Sequence, residues 1–317
     1  MKLHVGIVGC GYWGSKLLEK FANLKKECDI SCYDLDPSVC KQIKDTRPEI
    51  KIAGSYEEML RDNEIDAIVI ATPISSHYVL VKKALENNKN VFVEKPLACS
   101  SVQAARLVRM AKSKNKTLMV DHTFVYSPEI REVKKLVRKG FLGNVWIVNM
   151  YWLNLGIFQS DVNVIWDLAP HILSILYELF DEEPIKIYCF ASGHIKFDIE
   201  DDSRITLIYR GCKIVNVHIS WLCPAKVRQM VIIGDKKTLV YDDLANNKII
   251  FYDKLKKFDA QRLNIKHEDL LQAIVQDFLK CIQNGSTPKS DGSSALRVIK
   301  LIEKIIVSKE VFYDNNI

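Results

Sequence analysis

Six residues near the start of the chain have the spacing of a phosphate-binding turn. Gly9-Cys10-Gly11-Tyr12-Trp13-Gly14 is a Gly-x-Gly-x-x-Gly motif between an apolar run and a helical pattern. In such a motif the first glycine permits a tight turn and the second lets the backbone approach a pyrophosphate. The third lets the helix pack closely, with its N-terminal amides facing the anion. The expected cofactor contacts at this turn are Gly9, Gly11, Tyr12, Trp13 and Gly14.

An aspartate extends this dinucleotide-binding pattern. Asp34 ends the second apolar run, 20 residues after Gly14, where a carboxylate typically binds the hydroxyls of the adenosine ribose. Its neighbours Leu35 and Asp36 include no arginine that would meet a 2′-phosphate, so the sequence favours NAD over NADP as the cofactor. The alternative interpretation is an ordinary tight turn and an unrelated surface aspartate.

Two later loops follow predicted strands at the edge where parallel sheets bind their ligands. The first loop supplies four expected cofactor contacts, Ala71, Thr72, Pro73 and His77. The second loop, Glu94-Lys95-Pro96, adds Glu94 and Lys95 to these contacts. A lysine beside a bound cofactor and away from bulk water is able to take or give a proton. Taken alone, however, a single lysine is more often a solvated charge.

An aspartate and a histidine lie four residues apart in Trp166-Asp167-Leu168-Ala169-Pro170-His171. If the helix that follows begins before Asp167, its side chain shares a helix face with that of His171. If Pro170 is the first helical residue, Asp167 lies outside the helix and faces independently. The structural alternative is that Asp167 caps the helix while His171 is a hydrogen-bonded core residue.

Short apolar runs alternate with helical patterns over the first part of the chain. These runs occupy residues 3–8, 30–33, 67–71, 91–93 and 118–120, and they are apolar on both sides of the strand alternation, as strands covered on both faces are. Helix starts in the segments between these runs are predicted at Ser55, with Glu58 three residues later, and at Ser100. The pattern predicts an α/β fold with a doubly wound parallel sheet.

After residue 125 strand candidates follow one another closely. They lie at residues 145–152, 185–191, 204–209, 213–221, 229–233, 239–241 and 249–252, with helices predicted at 129–139, 172–180, 267–283 and 294–309. Consecutive strands without intervening helices predict a second α/β domain with a large, mostly antiparallel sheet. We therefore expect a cofactor-binding domain at residues 1–122 and a substrate-binding and oligomerisation domain at 123–317.

Composition excludes several functional classes. The 317 residues carry a net charge of +6 from scattered lysines, which form no basic arm, so we expect no nucleic-acid partner. No run of about 18 apolar residues exists, so we expect no membrane span. The nine cysteines have no paired or zinc-like spacing, and the N-terminus lacks the apolar region of a signal peptide. These features predict no metal site and a cytoplasmic location.

The combined motifs resemble those of the Gfo/Idh/MocA oxidoreductases over essentially the whole chain. Besides the glycine motif, the resemblance rests on Ala71-Thr72-Pro73 with His77, Glu94-Lys95-Pro96, Asp121-His122 and the segment 166–171. It implies a Rossmann domain, an α/β domain whose open sheet often forms oligomer contacts, and hydride transfer between a nicotinamide and a ring CH–OH carbon. Homodimers or homotetramers follow from the same resemblance.

The resemblance also implies which residues are catalytic. They are Lys95, Asp167 and His171, since hydride loss from a CH–OH carbon needs a base for the hydroxyl proton. We favour His171 as the proton acceptor, Lys95 as the group that polarises the oxygen and Asp167 as the residue that orients or charges them. The assignment with His171 and Lys95 exchanged stays open.

The substrate is expected from a finer similarity. The glycine motif and the segments 153–171 and 219–230 resemble a branch of the family associated with polysaccharide and nucleotide-sugar biosynthesis. This similarity implies oxidation at C3 of a UDP-linked hexose such as UDP-N-acetylglucosamine. Two alternatives stay open: a dehydrogenase of a free sugar, inositol or other small polyol, and a non-catalytic NAD-binding regulator. A regulator does not need Lys95, Asp167 and His171 together.

Overall fold

The computed structural model describes residues 2–156, 158, 162–196, 198–253 and 260–311. The chain forms two compact units. The first consists of Met1–Tyr126 with Asp269–Lys300, and the second of Ser127–Glu268 with Leu301–Ile317. The C-terminal part of the chain is thus divided between the two units.

The first unit is built on a six-stranded parallel sheet. Its strands are β1 (Leu3–Val8), β2 (Cys28–Tyr33), β3 (Lys51–Ile52), β4 (Ala67–Ile70), β5 (Asn90–Val93) and β6 (Leu118–Val120). Their order in the sheet is β3-β2-β1-β4-β5-β6, and every pair is parallel. This confirms the predicted doubly wound sheet. Strand β3 was not predicted, because two residues are too few for a period-two pattern.

Five helices connect these strands: α1 (Tyr12–Ala22), α2 (Pro37–Thr46), α3 (Tyr56–Arg61), α4 (Ile74–Glu86) and α5 (Ser101–Ser113). Side chains cap α2, α3 and α5 through Asp36, Ser55 and Ser100, and the two serine caps confirm the predicted starts. Helices α1 and α4 have no side-chain cap. They follow β1 and β4, the adjacent strands where the sheet order reverses, which is the ligand-binding edge of such sheets.

A sixth helix returns to the first unit from the end of the chain. This element is α8 (Leu270–Asn284), and its Phe278 packs edge-on against Phe92 of β5, with ring centroids 5.5 Å apart. Phe21 of α1 makes a similar contact with Phe278 at 6.4 Å. These fully buried aromatic rings explain why residues 269–300 belong to the first unit.

The second unit is built on a nine-stranded sheet. Its strands are β7 (Val145–Leu155), β8 (Lys186–Ser192), β9 (Asp202–Ile208), β10 (Ile214–Ser220), β11 (Leu222–Gly234), β12 (Lys237–Asp242), β13 (Ile249–Asp253), β14 (Ala260–Leu263) and β15 (Lys309–Val311). Their order is β14-β13-β12-β11-β7-β10-β9-β8-β15. Only the β7/β10 and β8/β15 pairs of these described strands are parallel. The prediction of a mostly antiparallel sheet is confirmed.

One face of this sheet is buried and the other is half-exposed. Along β7, Val148, Met150 and Trp152 are buried, while the alternate residues Asn149 and Tyr151 are partly accessible. Strands β8, β9, β10 and β12 show the same alternation. The period of two therefore separates a core face from an open face.

The three remaining α-helices of the described residues are α6 (Pro128–Arg138), α7 (Val164–Phe180) and α9 (Gly292–Val307), and two short 3-10 helices occupy Thr123–Tyr126 and Arg210–Cys212. The predicted start of α7 at residue 172 was wrong, since the helix begins at Val164 behind the cap Asn163, whose side chain accepts the Trp166 N–H. The short edge strands β14 and β15 were also missed. Within the described residues, no helix is long and apolar enough to span a membrane, and no cluster of three potential metal ligands occurs.

Candidate functional site

The turn between β1 and α1 needs its glycines for separate reasons. Gly9 has φ +81°, a conformation that side chains rarely adopt. A Cβ on Gly14 would lie 1.8 Å from the Gly9 carbonyl oxygen, so only glycine lets α1 pack against the turn. A Cβ on Gly11 would meet no atom within 4 Å. The backbone at Gly11 is therefore open to a ligand, at a helix start whose N–H groups have no side-chain cap.

Asp34 is held in place by backbone groups on both sides. The Cys10 N–H donates to Asp34 Oδ2 (2.6 Å), and the Asp36 N–H donates to Oδ1 (2.9 Å). Each carboxylate oxygen still has a lone pair for a further donor. A hydroxyl pair, such as that of a ribose, therefore fits this carboxylate. The neighbouring Leu35 is 87% exposed and offers no cation for a phosphate.

A cleft of about 550 Å³ joins these features within the first unit. Six of the predicted cofactor contacts line it: Gly9, Gly11, Asp34, Ala71, Thr72 and Pro73. The lining does not include Tyr12, Trp13, Gly14, His77, Glu94 or Lys95. The cleft combines an open backbone at Gly11, two uncapped helix starts and a fixed carboxylate, so its donors and acceptors fit a dinucleotide.

Tyr12 and Trp13 project outward from the first turn of α1. They are 68% and 49% exposed, and their rings pack edge-to-face with centroids 5.3 Å apart. Lys16 Nζ lies over both rings, at 4.0 Å and 4.6 Å from their centroids, and donates to the Tyr12 hydroxyl (2.8 Å). Lys16 was not among the predicted site residues, although its position one helical turn after Tyr12 can be read from the sequence.

His77 connects the two loops that were predicted to contact the cofactor. Its ring nitrogens lie 2.8 Å from the carbonyl oxygens of Pro96 and Thr72. Burial lowers the pKa of His77, so the neutral ring has one N–H to donate between the two carbonyls. The side chain thus ties the loop before α4 to the loop that carries Lys95.

Lys95 and Glu94 follow β5 in opposite environments. The Lys95 side chain is half-buried, whereas Glu94 is buried at 8% exposure. Glu94 Oε2 accepts the Lys95 backbone N–H (3.3 Å), and its carboxyl group is directed to Asp121 at the end of β6. A direct contact of Glu94 with a cofactor stays a prediction.

In the second unit, Asp167 and His171 belong to the same helix. Since α7 begins at Val164, Asp167 lies in its first turns and Pro170 lies inside the helix. The pair therefore has i, i+4 spacing and shares one helix face. The cap is Asn163, so Asp167 does not serve as the cap. Instead, the Trp221 indole N–H donates to Asp167 Oδ2 (3.0 Å).

The His171 ring packs beside a buried tryptophan of the sheet. Its centroid lies 6.4 Å from that of Trp152, and the two planes differ by 25°. Trp152 is 1% exposed, and the guanidinium carbon of Arg228 lies 5.3 Å from its ring centroid. Arg228 Nη1 also lies 3.5 Å from Asp243 Oδ2. Trp152 and Arg228 are register partners on β7 and β11, a pairing that spacing along the chain does not reveal.

Comparison with known families agrees with this architecture. Residues 3–122 match the Gfo/Idh/MocA oxidoreductase family, described as having an NAD-binding Rossmann fold, and residues 130–240 match the Gfo/Idh/MocA C-terminal domain. The chain belongs to the Gfo/Idh/MocA oxidoreductase family. The predicted family and fold are therefore confirmed, and the family description confirms NAD as the predicted cofactor.

The individual relatives share only 21% to 31% sequence identity with this chain. An uncharacterised oxidoreductase of Streptococcus pneumoniae is 31% identical over 140 residues, which span 44% of this chain and only 37% of that protein. The UDP-N-acetylglucosamine 3-dehydrogenase of Acidithiobacillus ferrooxidans is 21% identical over 98% of both chains, and its structure superposes with a TM-score of 0.86 over the same coverage. An inositol 2-dehydrogenase/D-chiro-inositol 3-dehydrogenase of Lacticaseibacillus casei is 27% identical over 68% of this chain and 65% of that protein.

Proposed function

We propose that this protein is an NAD-dependent dehydrogenase that moves a hydride between a nicotinamide and a ring CH–OH carbon of a sugar. The observation that carries the proposal is the placement of Asp167 and His171 one helical turn apart on α7, with Asp167 held by Trp221. A non-catalytic NAD-binding regulator does not need such an acid–base pair. When bound, NAD supplies the hydride acceptor of the reaction.

The chain's own residues handle the proton. In the oxidation direction, the substrate hydroxyl must lose its proton as the C–H bond breaks and the C=O bond forms. His171 accepts that proton at a ring nitrogen, and Asp167 orients or charges the pair. Lys95 polarises the substrate oxygen by donating a hydrogen bond to it. In the second assignment, Lys95 accepts the proton and His171 donates the hydrogen bond.

The proposed substrate is a UDP-linked hexose such as UDP-N-acetylglucosamine, oxidised at C3. This is supported by the similarity to the A. ferrooxidans UDP-N-acetylglucosamine 3-dehydrogenase over 98% of both chains. A second candidate is a free inositol or another small polyol, which the similarity to the L. casei inositol dehydrogenase supports. A substrate panel separates the two, with NADH formation followed by absorbance. Turnover of myo-inositol without turnover of any UDP-sugar would replace the first candidate by the second.

The role of Lys95 is tested by Lys95→Ala. We expect this variant to lose turnover of whichever substrate the panel identifies and to keep its affinity for NADH, measured by fluorescence titration. Lys112→Ala, which changes an exposed lysine on α5, is the matched control and should keep full turnover. Wild-type turnover by Lys95→Ala would exclude the proposed site.

We further propose a homodimer or homotetramer in a reducing, cytoplasmic compartment. Assembly through the open face of the nine-stranded sheet is supported by a row of half-exposed isoleucines in register across four strands, Ile147, Ile208, Ile214 and Ile233. The compartment is supported by the nine cysteines, all of which are free thiols. Light scattering coupled to size-exclusion chromatography tests the assembly, since a monomeric mass at micromolar concentration contradicts it.

A further inference from the structure

Two buried carboxyl groups lie side by side at the ends of β5 and β6. Glu94 is 8% exposed and Asp121 is 3% exposed. Their backbones are fixed by the sheet, because the Glu94 N–H donates to the Ile70 carbonyl and the Asp121 N–H donates to the Val93 carbonyl, both at 2.9 Å. Because Val93 and Val120 are register partners on β5 and β6, the residues that follow them, Glu94 and Asp121, are neighbours, and their carboxyl groups interact. The sheet therefore fixes the backbone positions from which both carboxyl side chains extend.

The hydrogen bonds around this pair are unequal. The Thr123 hydroxyl donates to Asp121 Oδ1. Glu94 Oε2 accepts only the long bond from the Lys95 N–H, and Oε1 is buried without a donor among the described residues. An ionised Glu94 would therefore hold a buried charge with little compensation. A proton on Glu94 would turn this carboxyl into a donor toward Asp121, which already accepts a hydrogen bond from the Thr123 hydroxyl.

The pKa values of the two carboxyl groups differ in the same sense as their hydrogen bonding. Burial, reinforced by the charge of Asp121, raises the pKa of Glu94 well above its usual value. Burial also raises the pKa of Asp121, but hydrogen bonds from Thr123 and Glu94 favour its ionised form. Two adjacent carboxylates in a dry site do not both ionise, since their repulsion disfavours the second charge.

Lys95 and two histidines near it, His77 and His122, are further titratable groups in this region. The Lys95 ammonium favours the ionised form of both carboxyls. Burial, with a smaller contribution from the charge of Lys95, lowers the pKa of His122 to about 4. Burial similarly lowers the pKa of His77. Both histidines are therefore neutral near pH 7, whereas the carboxyl pair contributes negative charge near Lys95.

We propose that Glu94 and Asp121 share one proton and act as a positioning pair for Lys95, to which they present a single buried negative charge. The catalytic part of this proposal rests on the proposed role of Lys95, whereas the shared proton does not. The net charge of the pair holds the lysine ammonium at the end of β5. It does not matter which of the two residues is ionised.

Three variants test the net charge. Glu94→Gln and Asp121→Asn each imitate one protonated carboxyl and leave one negative charge, so we expect each single variant to lose much less turnover than the double variant. The double variant carries no charge, and we expect its turnover to fall by about tenfold or more, with an altered pH profile. Glu86→Gln, an exposed change on α4, is the control and should have no effect.

The shared proton is tested without substrate. Infrared spectra of the full-length protein with ¹³C-labelled glutamate should show, at neutral pH, the carbonyl band of a protonated carboxyl that is absent from Glu94→Gln. A wild-type protein without this band would overturn the shared proton even if the protein is an active dehydrogenase. Wild-type turnover by the double variant, or losses in all three variants that follow their melting temperatures, would overturn the positioning role.

Discussion

The dinucleotide turn offers a matched pair of substitutions, Gly11→Ala and Gly14→Ala. The new methyl group at position 14 would lie 1.8 Å from the Gly9 oxygen and 2.8 Å from its carbon, well inside the contact distance of about 3.5 Å at which non-bonded atoms attract. Both obstructing atoms are backbone, so no side-chain rotation relieves the clash. The methyl group at position 11 would meet no protein atom within 4 Å.

Because of these different geometries, we expect Gly14→Ala and Gly11→Ala to differ in their free energies of unfolding. Overpacking of this kind costs about 3 kcal/mol, and the better helix propensity of alanine offsets about 1 kcal/mol. We therefore expect Gly14→Ala to lose about 2 kcal/mol, or about 5 °C in melting temperature. Gly11→Ala should stay within about 1 kcal/mol of the wild type, since its φ of −65° suits alanine. It should nevertheless weaken NADH binding about tenfold or more, because the methyl group occupies space for the pyrophosphate.

Thermal unfolding by circular dichroism and a fluorescence titration with NADH measure the two effects separately. The two variants serve as controls for each other, because each adds one methyl group to the same turn. An unchanged melting temperature for Gly14→Ala would refute the close packing of α1 against Gly9. An unchanged NADH affinity for Gly11→Ala would refute the placement of the pyrophosphate at this helix start.

Three further predictions concern single side chains. Asp34→Ser should weaken NADH binding at least about tenfold in a fluorescence titration, because the ribose acceptor is lost, and an unchanged affinity would contradict the contact. Because burial lowers the pKa of His122 from 6.5 to about 4, only the unfolded chain takes up this proton as the pH falls below 6.5, which costs about 2 kcal/mol of stability between pH 7 and 5. His122→Asn should lack that loss in urea titrations, and equal losses in both proteins would argue against it. Trp221→Phe removes the donor to Asp167, so turnover should fall while NADH affinity stays constant, and full turnover would show that this bond is dispensable.

Local sequence patterns predicted the strands, helix caps and glycine turn of the first unit, because each of these features depends on residues that lie close together in the chain. The apolar runs of the parallel sheet, the serine caps and the glycine turn each depend on residues a few positions apart. Gly9, Gly11 and Asp34 were predicted from spacing alone, and the structure places them around one cleft. The short edge strands β3 and β15 were not predicted, because too few residues show a period there.

The sequence by itself determined the two-part α/β fold, the dinucleotide turn and the residue types available for proton transfer. Only the tertiary structure decided their partners. Asp167 is held by Trp221, 54 residues away, and His171 packs beside Trp152 of another element. Glu94 meets Asp121 because β5 and β6 end side by side. Strand register sets such contacts, and register depends on the burial of whole faces, so separation along the chain does not encode them.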